Sequence, residues 1–359
     1  MASEVYFKLR ERLDEYSIGF PSSPSGVEIE ILERLFTPEE AELFLHMSLM
    51  IETSGVIAER SGQDSAYVTA MAEQMAAKGT VFRLRRDGVD RYAAVPFVLG
   101  IYEFQAGSIT RPMAELYFKY FEEALIDRIS EHEQLLRPIP VNRAIDVGMF
   151  VATYEDSREI VKKQKLIAVT HCLCREEKHL LGHGCDKPLE VCMAFGAGAQ
   201  HFIDMGRARP ISVEEALKIL DLAEESGLVT QPANSQNPGA ICNCCRDCCV
   251  QLRTLNRMER PAEVVVSNFF AVVEAELCSG CGICEDRCPM RAVEIRDGIA
   301  AMINLDRCIG CGLCVTTCPT GSLHLQKKSK DRWVEPPHSA REQLINIAAK
   351  RGKSIMPKG

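Results

Sequence analysis

Residues 278–318 contain the same cysteine run twice, with the second run thirty residues after the first. Each run has the spacing C-x2-C-x2-C-x3-C and is followed directly by a proline, Pro289 or Pro319. The eight cysteines are Cys278, Cys281, Cys284, Cys288, Cys308, Cys311, Cys314 and Cys318. Three thiols on a short glycine-containing loop converge on one point, while the fourth, stiffened by its proline, is directed elsewhere. This doubling constrains the fold of the stretch more than any hydrophobic periodicity in the chain.

Thiolates at this spacing are ligands of 4Fe-4S clusters, and the fourth cysteine of each run binds the cluster of the other run. The spacing therefore predicts one cluster at Cys278, Cys281, Cys284 and Cys318, and another at Cys308, Cys311, Cys314 and Cys288. A structural zinc site is the alternative, because C-x2-C pairs also bind zinc. The doubled pattern with both prolines favours the two clusters.

The repeat extends past the ligands, since residues 291–295 and 321–325 both alternate in the manner of short strands. We expect these strands to form a hairpin with the symmetric half. Residues 270–327 resemble the bacterial-type two-cluster ferredoxin family, with all eight ligands present. The resemblance implies a small domain that transfers single electrons at low potential.

The composition of the whole chain indicates the class of protein and the number of its domains. The chain has 359 residues, 46% hydrophobic and 26% charged, which is typical of a globular protein with two or three domains. A net charge of −8 argues against a general affinity for nucleic acid. The 17 cysteines, with a charged amino-terminal stretch and no long apolar run, indicate metal ligands in a cytoplasmic protein without membrane insertion. Free thiols in such number favour an organism that lives without oxygen.

The predicted fold class is α+β multidomain, with a winged-helix-like domain, a cysteine-rich α/β middle domain and a ferredoxin-like two-cluster domain. The expected boundaries are 1–28 for an amino-terminal segment, 29–136 for the winged-helix-like domain with a long helix, 137–267 for the middle domain, 268–327 for the ferredoxin domain and 328–359 for a basic tail. We expect the tail to be solvated or to wrap its own domain.

Residues 29–96 predict three helices followed by a hairpin. Thr37 is the expected N-cap of a helix reaching about residue 50, followed by helices at 53–60 and 64–78 and by strands around 81–85 and 91–95. This order resembles a winged helix-turn-helix domain, in which the third helix enters the DNA major groove. That helix offers few base-reading side chains, so docking or dimerisation is favoured over DNA binding. The amphipathic stretch 112–133 predicts a long helix, and we expect a homodimer surface on its apolar face.

Nine cysteines lie outside the ferredoxin repeat, in two groups. The groups are Cys172, Cys174, Cys185 and Cys192, and then Cys242, Cys244, Cys245, Cys248 and Cys249. Thiols this dense indicate metal binding, and additional iron-sulfur clusters are favoured over zinc because the chain already carries cluster ligands. Each group also contains enough ligands for one zinc ion. The groups can hold separate clusters, converge on one larger site, or divide between a metal site and redox-active thiols.

Several other polar residues accompany these cysteines. His171, His179, His183 and His201 interleave with the first group, but a histidine beside a metal loop is more often outside the ligand set. Arg175 and Arg246 can raise the potential of a bound cluster by their charge. We therefore predict an iron-sulfur electron-transfer protein that acts with a redox partner protein. The alternatives are a redox-sensing winged-helix regulator and an oxidoreductase with its active site in the middle domain.

Overall fold

The structure, a computed structural model, describes residues 3–131, 135–146, 149, 151–296 and 298–353. Its helices are α1 (Glu4–Asp14), α2 (Val27–Leu35), α3 (Pro38–Leu45), α4 (Ser54–Ser61), α5 (Ser65–Lys78), α6 (Arg111–Tyr120), α7 (Ile126–Glu131), α8 (Ser157–Lys162), α9 (Leu173–Leu180), α10 (Gly196–Asp204), α11 (Val213–Glu225), α12 (Val250–Arg257), α13 (Ile283–Arg287) and α14 (Ala340–Lys350). Its strands are β1 (Glu52–Thr53), β2 (Phe82–Arg86), β3 (Val89–Ala93), β4 (Ile167–His171), β5 (Glu190–Phe195), β6 (Arg209–Ile211), β7 (Val229–Pro232), β8 (Ala240–Cys244), β9 (Phe269–Val273), β10 (Val293–Arg296), β11 (Ala300–Ile303) and β12 (Leu323–Lys327).

The amino-terminal helices begin where their caps predict. Thr37 and Glu40 form a capping box at the start of α3, and Asp64 caps α5 by accepting hydrogen bonds from two backbone N–H groups. Helix α3 ends at Leu45, so the predicted extension to residue 50 is wrong. The Ser48 hydroxyl accepts a hydrogen bond from Met50 N at 3.1 Å and so forms a local turn in place of another helical turn.

The predicted hairpin is formed by β2 and β3 after α5, and β1, which lies between α3 and α4, extends it to a three-stranded antiparallel sheet of order β1-β3-β2. Its β2 strand packs against α10 of the cysteine-rich region, where Phe82 stacks on His201 with ring centroids 4.9 Å apart. Arg83 N donates a hydrogen bond to His201 Nδ1 at 3.1 Å. The hairpin is thus anchored within its own chain. Its assignment as a winged helix remains a prediction.

The long helix predicted for residues 112–133 is formed by α6 and α7, joined by a π-helical turn at Phe121–Leu125. The apolar face that was expected to bind a second copy is buried inside the chain. Tyr117, Tyr120, Phe121 and Leu125 are each at most 1% exposed and belong to the amino-terminal core. A dimer surface on this face is therefore wrong, because the long helix packs on the chain's own α2 and α9.

The middle region contains a five-stranded sheet of order β6-β4-β5-β8-β7. Every pairing in it is antiparallel, so the α/β class predicted for this region is wrong and the region is α+β. The sequence between β4 and β5 contains α9, which packs on α6 instead of crossing the sheet to start a parallel strand. One sheet face packs on α11 and α8, and the other carries cysteines.

The last domain has two short antiparallel pairs, β10 with β11 and β12 with β9. Each strand that follows one cysteine run therefore pairs with the strand that precedes the other run. The two repeat strands, β10 and β12, lie in separate sheets, so the expected hairpin between the symmetric halves is wrong. After β12 the tail first stays on its own domain, where Lys327 Nζ lies 4.3 Å from the ring centroid of Trp333. Helix α14 then packs on the amino-terminal region, since Gln343 Nε2 donates to Leu135 O at 3.0 Å and Arg351 Nη2 lies 3.2 Å from Asp14 Oδ1. The expectation that the tail is solvated or wraps its own domain is therefore wrong for this helix. Among the described residues, no helix combines the length and apolar character needed to cross a bilayer.

Candidate metal centres

The first of four cysteine sites lies at the exposed end of the ferredoxin-like domain, and we call it the outer site. Cys278, Cys281, Cys284 and Cys318 line one pocket of about 10 Å³. The loop turns at Gly280, where φ is +66° and where a Cβ atom would collide with the carbonyl of Gly298. Ala301 N donates to Cys278 Sγ at 3.4 Å, and Ser322 Oγ lies 3.3 Å from Cys318 Sγ. Hydrogen bonds of this kind stabilise anionic sulfur ligands.

The second site, the inner site, repeats this arrangement deeper in the molecule. Cys288, Cys308, Cys311 and Cys314 line a pocket of about 20 Å³. Ala271 N donates to Cys308 Sγ at 3.4 Å, and Ala292 N donates to Cys288 Sγ at 3.2 Å. In both sites the fourth cysteine of one run lines the same pocket as the first three cysteines of the other run. The four sulfur donors and the N–H groups directed at them fit a 4Fe-4S cluster, which exchanges single electrons when bound.

The third site is a ring of six cysteines, and it draws on both cysteine groups of the middle region. Its members are Cys172, Cys174, Cys192, Cys242, Cys244 and Cys249. Each side chain interacts with the next, from Cys174 through Cys172, Cys192, Cys242 and Cys244 to Cys249, and Cys249 interacts in turn with Cys174. We call this set the six-cysteine ring.

The antiparallel register produces much of this ring. The pairs Met193–Ile241 and Ala194–Ala240 place Cys192 of β5 beside Cys242 of β8, and the two-residue period of β8 brings Cys244 to the same face. Met193 and Ile241 lie on the opposite face, in the core with α11. Cys172 and Cys249 are the N-caps of α9 and α12, so the positive ends of two helix dipoles are directed at the ring.

The six sulfurs line part of a cavity of about 430 Å³. Its remaining wall is mostly apolar and comes largely from the amino-terminal region, including Val95, Leu99 and Phe104. Glu103 also lines the cavity and accepts a hydrogen bond from Gly100 N at 2.9 Å. Burial raises the pKa of Glu103 to about 7. The ring therefore faces a space far larger than either ferredoxin-type pocket.

Five of the six ring thiols are poorly disposed to ionise by themselves, whereas hydrogen bonds with Cys172 and Cys242 lower the pKa of Cys192 well below its ordinary value. The hydrogen bond with Cys172, followed by burial, raises the pKa of Cys174 well above its ordinary value. The hydrogen bond with Cys244 and burial do the same for the pKa of Cys249. A bound metal cation offsets such repulsion between neighbouring thiolates, so this donor set suits a thiolate-bound metal centre.

The fourth site contains only Cys185, Cys245 and Cys248, whose sulfurs all lie within 4.8 Å of one another. Cys185 Sγ is 3.6 Å from Cys245 Sγ and 3.7 Å from Cys248 Sγ. We call this set the three-cysteine site. Neither group of middle cysteines, as the sequence divides them, is therefore a single site. Both groups converge, and their members are redistributed between the ring and the three-cysteine site.

Arg175 lies between these two sites and is fully buried. Its Nη1 and Nη2 atoms donate to the carbonyls of Pro188 and Asn243, each at 2.5 Å. The neighbouring sulfurs of Cys172, Cys245 and Cys192 favour its charged form, and its pKa is raised despite burial. The sequence predicted a charge effect for Arg175. Arg246, by contrast, is partly exposed and donates to Cys288 O at 3.4 Å, next to the inner site.

The four histidines lie outside the sulfur groups. His171 Nδ1 is 2.8 Å from Glu176 Oε1, and His179 Nε2 is 2.8 Å from Cys185 O. His201 is buried against the hairpin, and His183 is exposed. Among the described residues, no histidine belongs to a group of metal-ligating atoms within 4.8 Å of one another.

The sequence did not indicate that two further polar residues, Tyr102 and Glu177, lie near the ring. Tyr102 Oη donates to Glu177 Oε2 at 2.7 Å and lies 3.9 Å from Cys174 Sγ. Burial raises the pKa of Glu177 to about 7. Tyr102 follows an apolar run, so its sequence context indicates a core residue. Glu177 has the sequence context of an ordinary charged residue on a surface helix.

Comparison with known proteins bears on the ferredoxin-like region. The sequence profile of the 4Fe-4S dicluster domain family matches residues 277–322. This match supports a ferredoxin-type iron-sulfur domain at that place, and the cysteine groups fit a role in iron-sulfur electron transfer. A search of curated proteins finds no match to the chain.

Proposed function

We propose that this protein passes single electrons from a partner through the outer and inner sites to an iron-sulfur centre held by the six-cysteine ring. The observation that carries the proposal is the convergence of six cysteine sulfurs, from separate segments of the middle region, on one wall of one cavity. Six thiolates exceed the four that a single cubane requires. The ring thus has ligands for a larger centre, or for a cubane with two further thiols.

Contacts between the domains support the order of the sites. Cys244 and Cys249 of the ring belong to a buried cluster that includes Cys288, Cys311 and Cys314 of the inner site but, of the outer site, Cys284 alone among its buried members. Asn256 Nδ2, on the helix that Cys249 caps, donates to Pro289 O at 3.0 Å, directly after the last cysteine of the first run. The inner site is therefore the natural neighbour of the ring.

The outer site supports contact with a partner. Cys281 is exposed, and around it Leu277, Ile283 and Ile299 are 51%, 44% and 71% exposed. Three exposed apolar side chains beside a cluster loop form a patch of the kind used for transient docking. The exposed Glu276 lies next to this patch, so the partner we propose is a low-potential redox protein with a complementary apolar and basic surface.

The test is a Cys192→Ser/Cys242→Ser double variant of the full chain, purified without oxygen. We expect it to lose the iron of the ring and to keep about eight ferredoxin-type irons, because each cubane takes four. Val191→Ile is the matched control, since Val191 is adjacent to Cys192 on β5, belongs to the core beneath the sheet and does not line the cavity. In the wild-type protein, rapid-freeze electron paramagnetic resonance after mixing with dithionite should show the signals of the reduced ferredoxin-type clusters first. A further signal, from the ring centre, should follow. Unchanged iron and spectra in the double cysteine variant would contradict the proposal.

The size of the cavity favours a second candidate function, an oxidoreductase that acts on an organic molecule at the ring. The cavity measures about 430 Å³, against about 10 and 20 Å³ for the outer and inner sites. The apolar wall suits a mostly apolar substrate, and Glu103 is the ionisable group that a polar end of such a molecule would meet. Its test is Val98→Trp, which fills the cavity, with exposed Val56→Trp as control. We expect only the first variant to lose a small molecule retained in native mass spectra.

The contacts of two hairpin arginines support the prediction that the amino-terminal region has a role in docking and does not bind DNA. Arg83 pairs with Glu73, Asp90 and Asp204 at 2.9–3.6 Å, and its side chain is 11% exposed. Arg85 pairs with Asp90 as well. Cations neutralised by the chain's own carboxylates contribute little to binding phosphates.

A further inference from the structure

The three-cysteine site is distinct from every site used in the proposed function. Its sulfurs do not line the large cavity or either ferredoxin-type pocket. Cys185 comes from the loop between α9 and β5, and Cys245 and Cys248 come from the loop between β8 and α12. Cys245 and Cys248 are 4% and 1% exposed and belong to the core beneath the sheet, and the partly buried Cys185 packs against this core.

The distances between the sulfurs show which kind of centre fits. Zinc–sulfur bonds of about 2.3 Å at tetrahedral angles place neighbouring sulfurs about 3.8 Å apart. The separations of Cys185 Sγ from Cys245 Sγ and Cys248 Sγ, 3.6 and 3.7 Å, agree with that spacing. A cubane instead binds each thiolate through a different iron, which spreads the sulfurs over a larger object.

The same chain provides an internal comparison. Among the described residues, the three-cysteine site is the one group of ligand atoms that all lie within 4.8 Å of one another. The outer and inner sites, which match a 4Fe-4S domain, contain no such group among those residues. Sulfurs arranged for cubanes are therefore more widely spaced in this molecule than the sulfurs of Cys185, Cys245 and Cys248. We propose that these three cysteines bind a single Zn²⁺ ion.

The charges around the site agree with one divalent ion. Three thiolates on Zn²⁺ carry a net charge of −1, and the fully buried Arg175 beside Cys245 supplies one positive charge. A buried cation requires such a counter-charge, because two of its hydrogen bonds go to neutral backbone carbonyls and its anionic neighbours are cysteine sulfurs, Cys245 of this site and Cys172 of the ring. One divalent ion with three thiolates therefore supplies part of the negative charge that a buried arginine needs at this point.

The fourth coordination position is open to a water molecule or a small ligand. No fourth histidine, cysteine or carboxylate atom joins the three sulfurs within 4.8 Å in the part of the chain that the structure describes. Three protein ligands with one free position is the arrangement of zinc sites that exchange a ligand, whereas purely structural sites use four. The ion also ties the loop after β8, which leads into Cys249 of the ring, to the loop before β5.

The experiment measures zinc and iron by elemental analysis in the full chain purified without oxygen. We expect about one zinc per chain in the wild type, little zinc in Cys248→Ser, and unchanged iron in that variant. Cys192→Ser is the matched control, because it removes a ring cysteine and should keep the zinc. Cobalt substitution gives a second measurement, since Co²⁺ bound by thiolates should show visible absorption bands that Cys185→Ser and Cys248→Ser each abolish.

Three outcomes would overturn the assignment. They are a wild-type protein without zinc, a Cys248→Ser variant that loses iron in place of zinc, and a disulfide between two of the three cysteines under anaerobic conditions. The ferredoxin-type iron spectrum of each variant reports whether the chain has folded. Zinc content does not depend on electron transfer, so failure here is distinguishable from failure of the proposed function.

Discussion

Arg175 Nη2 donates a hydrogen bond to the backbone carbonyl of Asn243, 2.5 Å away on the strand that carries Cys242 and Cys244. This bond holds the guanidinium between the six-cysteine ring and the three-cysteine site. A buried positive charge beside an anionic centre stabilises the form with one more electron. The hydrogen bond to β8 therefore fixes the position of a positive charge that acts on both sites.

The first prediction concerns that charge. Arg175→Gln should shift the reduction potential of the ring centre to more negative values, because reduction adds a negative charge that the arginine no longer offsets. A redox titration followed by electron paramagnetic resonance measures the shift. Arg246→Gln is the control, since Arg246 is partly exposed and solvent screens its charge. Equal shifts in the two variants would show that burial of Arg175 has no special effect.

The second prediction concerns the loop of the inner site. Gly310 has φ +69°, and a Cβ atom there would collide with the backbone carbonyl of Phe269. Gly310→Ala should therefore lose the iron of the inner site, about half of the ferredoxin-type iron. Gly321→Ala is the matched control, because Gly321 has φ +67° and no atom within 4 Å of the added methyl group. It carries the backbone strain of about 1 kcal/mol without the collision. Iron analysis of both proteins compares them, and equal losses would assign the effect to backbone strain.

The third prediction concerns pH and the docked hairpin. Burial, with Arg207 adding to the effect, lowers the pKa of His201 to about 4 from an ordinary value near 6.5. Below a pH of about 6.5, His201 therefore binds a proton in the unfolded chain but not in the folded chain. The free energy of unfolding should fall as the pH drops toward 4. Urea unfolding at several pH values gives the free energy of unfolding as a function of pH, and the slope of this dependence should be smaller in His201→Gln. His183→Gln, at an exposed position, should keep the wild-type slope, and a slope unchanged in both would remove His201 as its source.

The fourth prediction concerns the ion pairs that hold the hairpin to α10. Arg83→Ala should lower the free energy of unfolding by on the order of 1–2 kcal/mol, because it leaves partly buried carboxylates without their partner. Arg86→Ala removes a side chain that is 74% exposed and should change stability by less than about 0.5 kcal/mol. Limited proteolysis near residue 87 should be faster in the first variant alone. Similar stability in the two proteins would mean that Arg83 does not anchor the hairpin.

Local chemistry made much of this fold predictable. Thr37, Asp64 and Gly79 mark helix ends through their own side chains or backbone conformations, and the doubled cysteine run carries its symmetry in its spacing. The middle sites were not predictable in the same way. Cys244 and Cys245 are neighbours in sequence, yet Cys244 belongs to the ring and Cys245 to the three-cysteine site, since adjacent residues at a strand end point in opposite directions.

Long-range packing accounts for the other errors. The apolar face around Tyr117 and Phe121 has the pattern of a subunit interface, and only the tertiary structure shows that α2 and α9 cover it. Similarly, no local signal indicates that Tyr102 reaches Glu177, because the two residues are 75 positions apart. Contacts of this kind depend on how separate segments dock.

The most direct test of the account is the content of iron and acid-labile sulfide in the wild-type full chain, purified without oxygen. Each cubane contributes four irons and four sulfides, so the outer and inner sites together account for about eight of each. A centre in the six-cysteine ring should raise both values to about twelve or more per chain. A result of about eight irons and eight sulfides in fully loaded protein would contradict the proposed route of electrons into the ring.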